Sequence, residues 1–136
     1  MNNIKIKLKT SELTGAALDW AVAKCEGRKP SCYTGIVRAT AHPDFPDSPP
    51  IFGPELNYST DWALAGPIIE REGITICTEG EGESWSAYFR ENLFDDEYEH
   101  EYQHGPTPLV AAMRCYVATQ LGDEVEVPEE IKGVTA

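Results

Sequence analysis

The sequence is poorest in positive charge. Of 136 residues only 11 are Lys or Arg, against 23 Asp or Glu, for a net charge of −12. That balance excludes binding to DNA, RNA or anionic lipid through a general basic field. Long apolar runs are also missing. None approaches the roughly 20 residues that cross a bilayer, and the opening MNNIKIKLKT lacks the apolar centre of a signal peptide. A cytosolic protein is expected. Cysteine is sparse: Cys25, Cys32, Cys77 and Cys115 are scattered, with no C-x-x-C pair. Neither a zinc knuckle nor a disulfide framework is expected from that spacing. Walker loop, dinucleotide fingerprint, G-x-S-x-G elbow and deaminase signature are all absent. The chain is therefore read as non-catalytic, with no cofactor and no resident metal.

What charge there is lies unevenly. Residues 1–38 hold seven basic and three acidic side chains, a net of +4, and residues 39–136 hold a net of −16. Such a split hints at a partner. Its simplest reading is that the two halves pack together and partly neutralise each other.

Ile4, Ile6 and Leu8 alternate with Lys5, Lys7 and Lys9, which predicts a half-buried edge strand over 3–9. Thr14 is placed as N-cap of the first helix, with Leu13 and Leu18 as a hydrophobic staple and Gly27 as its stop. Residues 42–50 hold four prolines in nine positions and predict a loop. Ser59 or Thr60 is expected to cap a helical turn over DWALA that Gly66 ends, and Pro67 to open a second turn. Residues 74–78 and 84–90 read as a hairpin around EGEGE. Residues 91–105 read as an acidic loop. Thr107 as cap, Pro108 at the first position and Gly122 as stop predict the clearest helix. A short strand over DEVEV should end at Pro128. The expected fold is a single small α+β domain over 1–136, two principal helices packed on a small, mostly antiparallel sheet.

His100-Glu101-Tyr102-Gln103-His104 matches the H-E-x-x-H letters of a zinc protease. That chemistry needs a helix holding both His on one face. Gly105-Pro106 follow at once, and Glu97, Glu99 and Glu101 alternate with Tyr98, His100 and Tyr102, so the metal-hydrolase reading is rejected. If extended, those alternate carboxylates stand roughly 6.7 Å apart. Such a row is suited to an acidic decoy that imitates a nucleic-acid backbone toward a host DNA-binding protein. A solvated loop is the commoner fate of a charge run.

Basic residues are scarce after position 38: Arg71, Arg90, Arg114 and Lys132. Arg beside Trp is a usual way to hold a nucleotide-like anion. Ser59, Thr60, Asp61, Trp62, Arg71, Trp85, Thr107 and Arg114 are the candidate ligand-binding set, with the free N–H groups after Thr107 as a second anion donor. Structural ion pairs are the alternative for both arginines.

Four segments together resemble the NinX-like family of tailed double-stranded DNA phages. They are KTSELTGAALDWAVAK (9–24), YSTDWALAGPIIERE (58–72), Trp85 with Ala87, and GPTPLVAAMRCYVATQLGDEVEVPEE (105–130). The resemblance implies an accessory early-region phage protein in the cytoplasm of the infected bacterium. It implies no biochemical activity, since the family is a domain of unknown function. The combined expectation is a binding module for a small anionic ligand or a host peptide, with the acidic decoy as the alternative.

Overall fold

A computed structural model of the chain describes residues 4–33, 36–39, 54–89 and 102–132. The Pro-rich 42–50 segment and Glu97, Glu99, His100 and Glu101 lie outside the described residues.

Strand β1 (Lys5–Lys9) pairs antiparallel with β7 (Glu124–Pro128). Its alternation works as expected: Ile6 and Leu8 are half-buried while the lysines stay exposed. The register sets Lys7 opposite Glu126 and Lys9 opposite Glu124. Opposite charges facing across a ladder are favourable. The basic head and acidic body thus meet in one sheet, as the simplest reading of the charge split anticipates.

A 3-10 turn (Thr10–Glu12) follows, and Thr10, 1% exposed, ties it to β7. Its N–H donates to Asp123 O at 2.8 Å and its hydroxyl to Gly122 O at 2.6 Å. Helix α1 (Gly15–Cys25) starts after Thr14, whose side chain makes no capping bond. Leu13 and Leu18 are both fully buried, so apolar anchoring is what fixes this start. Strands β2 (Pro30–Tyr33) and β3 (Ile36–Ala39) form a small antiparallel pair.

Helix α2 (Trp62–Glu72) departs from expectation twice. Its cap is Asp61, not Ser59 or Thr60: the Asp61 carboxylate accepts from Ala63 N at 2.9 Å. Gly66 does not stop it, and the helix runs through Pro67 to Gly73, which takes the left-handed conformation at φ +68°. Proline removes only the bond to the Ala63 carbonyl. Ala63 and Pro67 both face solvent, where water meets that carbonyl.

Strands β4 (Ile74–Glu79), β5 (Ser84–Phe89) and β6 (Gln103–Gly105) form a three-stranded antiparallel sheet in that order. The third strand takes the last residues of what the sequence assigns to the acidic loop 91–105. Helix α3 (Pro108–Leu121) is capped as expected, Thr107 Oγ1 accepting from Val110 N at 3.1 Å. It buries eight side chains, on nearly every side. Gly105 is required at the approach of β6 to α3. A Cβ there would meet Ala111 N at 2.8 Å and Val110 Cγ1 at 2.9 Å. A one-turn helix, α4 (Glu129–Lys132), plants Ile131 in the core.

The fold class is α+β; among the described residues there are three helices of two or more turns, where the sequence suggests two, and three small antiparallel sheets instead of one. Buried residues of α1, α2, α3, β5, β7 and α4 form one hydrophobic cluster.

Candidate functional site

The eight candidate residues separate into three groups. The first is the turn before α2. Ser59 is buried because Asp19 of α1 holds it: Ser59 N donates to Asp19 Oδ1 at 2.7 Å, and the Ser59 hydroxyl adds a second bond. Thr60 is exposed and points its hydroxyl to Asn57 O at 3.5 Å. Asp61 is committed to the helix cap. Trp62, on the first turn, is 54% exposed. Ile4, Ile36, Tyr102 and Leu121 are the other exposed large apolar side chains among the described residues, and Trp62 is the largest of the five.

The second group surrounds Arg71 at the other end of α2. Its guanidinium forks onto both oxygens of Glu26, at 2.7 and 3.1 Å, and Nε reaches Glu72 at 3.1 Å. Its Cζ lies 5.8 Å from the Tyr116 ring centroid. The Tyr116 hydroxyl donates to Glu26 Oε2 at 2.6 Å. The Arg71 guanidinium holds the Glu26 carboxyl below its ordinary range, and burial, then Glu26, pushes the Tyr116 hydroxyl up. An incoming anion would meet two carboxylates around this one cation.

The third group sits where β6 meets α3. Trp85, half-buried, pairs with Gly105 across the sheet. Arg114 is engaged by the backbone: Nε donates to Leu13 O at 2.7 Å and Nη1 to His104 O at 2.6 Å. Burial lowers its pKa from the ordinary arginine value. Arg114 therefore ties the 3-10 turn's exit and β6 to α3, and Thr107 is spent as the cap.

The family model described as bacteriophage P22, NinX matches residues 9–120. The chain belongs to the NinX family. No curated protein matches it. The family match runs continuously through 42–50 and 91–104, so those stretches belong to the family's span along with the motif segments. It ends within α3, so β7, which pairs with β1, lies outside the match. All eight candidate residues fall inside it.

Among the described residues no hydrogen bond or ion pair joins one of the three groups to another. A cavity of about 190 Å³ opens between β1, the 3-10 turn, β6 and β7. Its lining is Lys9, Thr10, Ser11, Gln103, Asp123 and Glu124, none of the candidate set. His104 lies on β6 rather than a helix, which denies the H-E-x-x-H letters their geometry. Its Nδ1 pairs with Glu79 Oε1, and Glu79 Oε2 accepts from the Ser84 hydroxyl at 3.0 Å. Among the described residues no group of three or more His, Cys, Asp or Glu could hold a metal ion.

Asp19 is the polar residue that sequence reasoning overlooked. Its signal was present: Ala16, Val22 and Ala23 share its helical stripe, so a charged residue there had to be buried. Burial lifts its carboxyl to about 6 against the two bonds from Ser59. The sequence Asp-Trp-Ala occurs twice, at 19–21 and 61–63, with different uses of the aspartate. Asp19 clamps a turn from mid-helix, and Asp61 caps a helix. Glu26 and Tyr116, which complete the Arg71 network, could be found only from the fold.

Proposed function

We propose that this phage protein is a non-catalytic binding module, acting in the cytoplasm of the infected host, that holds a host peptide against the start of α2. The observation that carries the reading is Trp62, a large apolar side chain left in solvent on a turn that buried Asp19 holds in place. Exposed tryptophans on fixed turns are the material of binding hot spots. Thr60, Ala63 and Pro67 extend the exposed surface around it. The net charge of −12 favours a partner segment with basic residues beside its apolar anchor.

A nucleotide-like anion suits this surface less well. Both arginines that would receive it already have protein acceptors, and Thr107 is spent on its own helix. The acidic-decoy reading has one supporting observation, the exposure of Glu81 and Glu83 at the tip of the β4–β5 hairpin.

Affinity capture from infected cells tests the proposal, with native chain, Trp62→Ala, and the pair Glu81→Gln/Glu83→Gln as baits. A host protein retained by the native chain and the glutamine pair but lost by Trp62→Ala is the expected result. Equal retention by Trp62→Ala overturns the Trp62 surface, and loss in the glutamine pair transfers the role to the acids. Stabilisation by a nucleotide in a thermal-shift series would instead favour the anionic ligand.

A further inference from the structure

The strand edges of this protein are not treated alike. Strand β1 carries Lys5, Lys7 and Lys9, and β7 carries Glu124, Glu126 and the terminal Pro128. Charges and proline are the usual guards against unwanted strand pairing. Strand β2 begins at Pro30, and β3 is covered on its far side. There Leu56 N donates to Val37 O at 2.8 Å and Ala39 N to Pro54 O at 3.0 Å. Strand β6 is three residues long and runs straight into Pro106.

Strand β4 has none of these guards. It is the outer strand of the β4-β5-β6 sheet, six residues long, with the sequence ITICTE. Four of those residues, Ile74, Thr75, Ile76 and Thr78, are β-branched, and the sole charge is Glu79 at the end. Among the described residues no strand pairs with its outer side, and no backbone bond joins it to a loop there. Ile76 and Cys77 are half-buried and Thr78 is exposed.

The charge around it selects an occupant. Glu70 and Glu72 precede β4 with Arg71 between them on Glu72, and Glu81 and Glu83 stand beyond its other end, where Glu79 faces His104, so acids outnumber cations at both ends. We infer that β4 receives an extended peptide as an added strand, one with alternating β-branched residues and basic side chains at both ends. Main-chain bonds to β4 give affinity, and the acids at either end give the charge preference. A second copy of this chain is a poor occupant, because two bodies of net charge −12 repel each other. The site is separate from Trp62 and stands whether or not that surface binds anything.

The test uses the full chain, labelled for amide NMR, and a blocked probe peptide of alternating threonine and valine with lysines at both ends. Binding should shift the amides of Ile74 to Glu79 and slow their hydrogen exchange. A glutamate-ended probe should bind at least tenfold more weakly, and a probe N-methylated on alternate backbone amides should not bind. Thr78→Lys, which installs the missing guard at an exposed position, should weaken binding of the lysine-ended probe at least tenfold while leaving the protein's other amides in place. No response to the lysine-ended probe overturns the inference. So does equal binding of the N-methylated or glutamate-ended probe. Shifts at β4 on concentrating the protein alone would overturn it in favour of a second copy. Shifts confined to the turn at residues 59–63 would assign the probe to the Trp62 surface and likewise overturn it.

Discussion

Helices α3 and α2 carry one arginine each of the candidate set and use it in opposite ways. Helix α3 buries eight of its side chains, and α2 buries two, Ala65 and Ile68. Arg114 on α3 spends its guanidinium on the backbone carbonyls of Leu13 and His104. Arg71 on α2 spends its own on side chains, chiefly Glu26. The first is framework, joining three elements from inside. The second lies on a half-exposed surface that ends, one helix length away, in Trp62. Chemistry alone does not make an arginine a ligand contact; the burial of its helix decides what it is free to do.

The contrast breaks first at Arg114. Arg114→Ala leaves the Leu13 carbonyl, in a largely buried setting, without its donor and removes the strap to β6. A loss of about 2–3 kcal/mol in unfolding free energy is expected by denaturant titration. A loss under about 0.5 kcal/mol would place Arg114 on the surface with Arg71.

Asp19 sharpens the comparison next, because it fixes the turn that presents Trp62. Its carboxyl is raised from 3.8 to about 6 by burial. The folded state therefore binds this proton more tightly than the unfolded state. The contribution is fully present below the unfolded value and is lost as pH rises through the folded one. Between roughly pH 4 and 6 stability should fall by about 2–3 kcal/mol on account of this group. In Asp19→Asn, which keeps an acceptor for Ser59 N, that segment of the stability profile should flatten.

Arg71→Ala should cost under about 1 kcal/mol, because the Arg71 side chain is 50% exposed and such pairs are screened. The Glu26 carboxyl should then titrate at a higher pH, which carboxyl NMR reads directly. Smallest of all, Trp62→Ala should change stability by no more than about 0.5 kcal/mol, as for surface substitutions generally. A larger loss would return Trp62 to the framework.

Much of the framework was legible in the sequence because its signals are local. Thr107-Pro108 opens α3, Gly122 closes it, and strict alternation marks β1 and β7. The α2 segment was misread for a physical reason. Gly66-Pro67 is a strong breaker pair by local rules, but on a solvent-facing stripe the one lost hydrogen bond is met by water. The Asp61 cap was hidden by two equally good caps just before it. The division of the sheet into three was invisible because pairing partners lie far apart, β1 with β7 across almost the whole chain. The candidate site was legible only as a set of residue types. Which arginine meets a carbonyl and which meets a carboxylate depends on long-range packing, and that separates Arg71 from Arg114.

We propose that Trp62 is left in solvent for a partner. A photo-crosslinking amino acid placed at position 62, and as a control at Leu121, which is also exposed at 44%, tests it in infected cells. A discrete cross-linked host protein from position 62 and none from position 121 is the predicted result. No adduct at 62, or the same pattern from both positions, would contradict it.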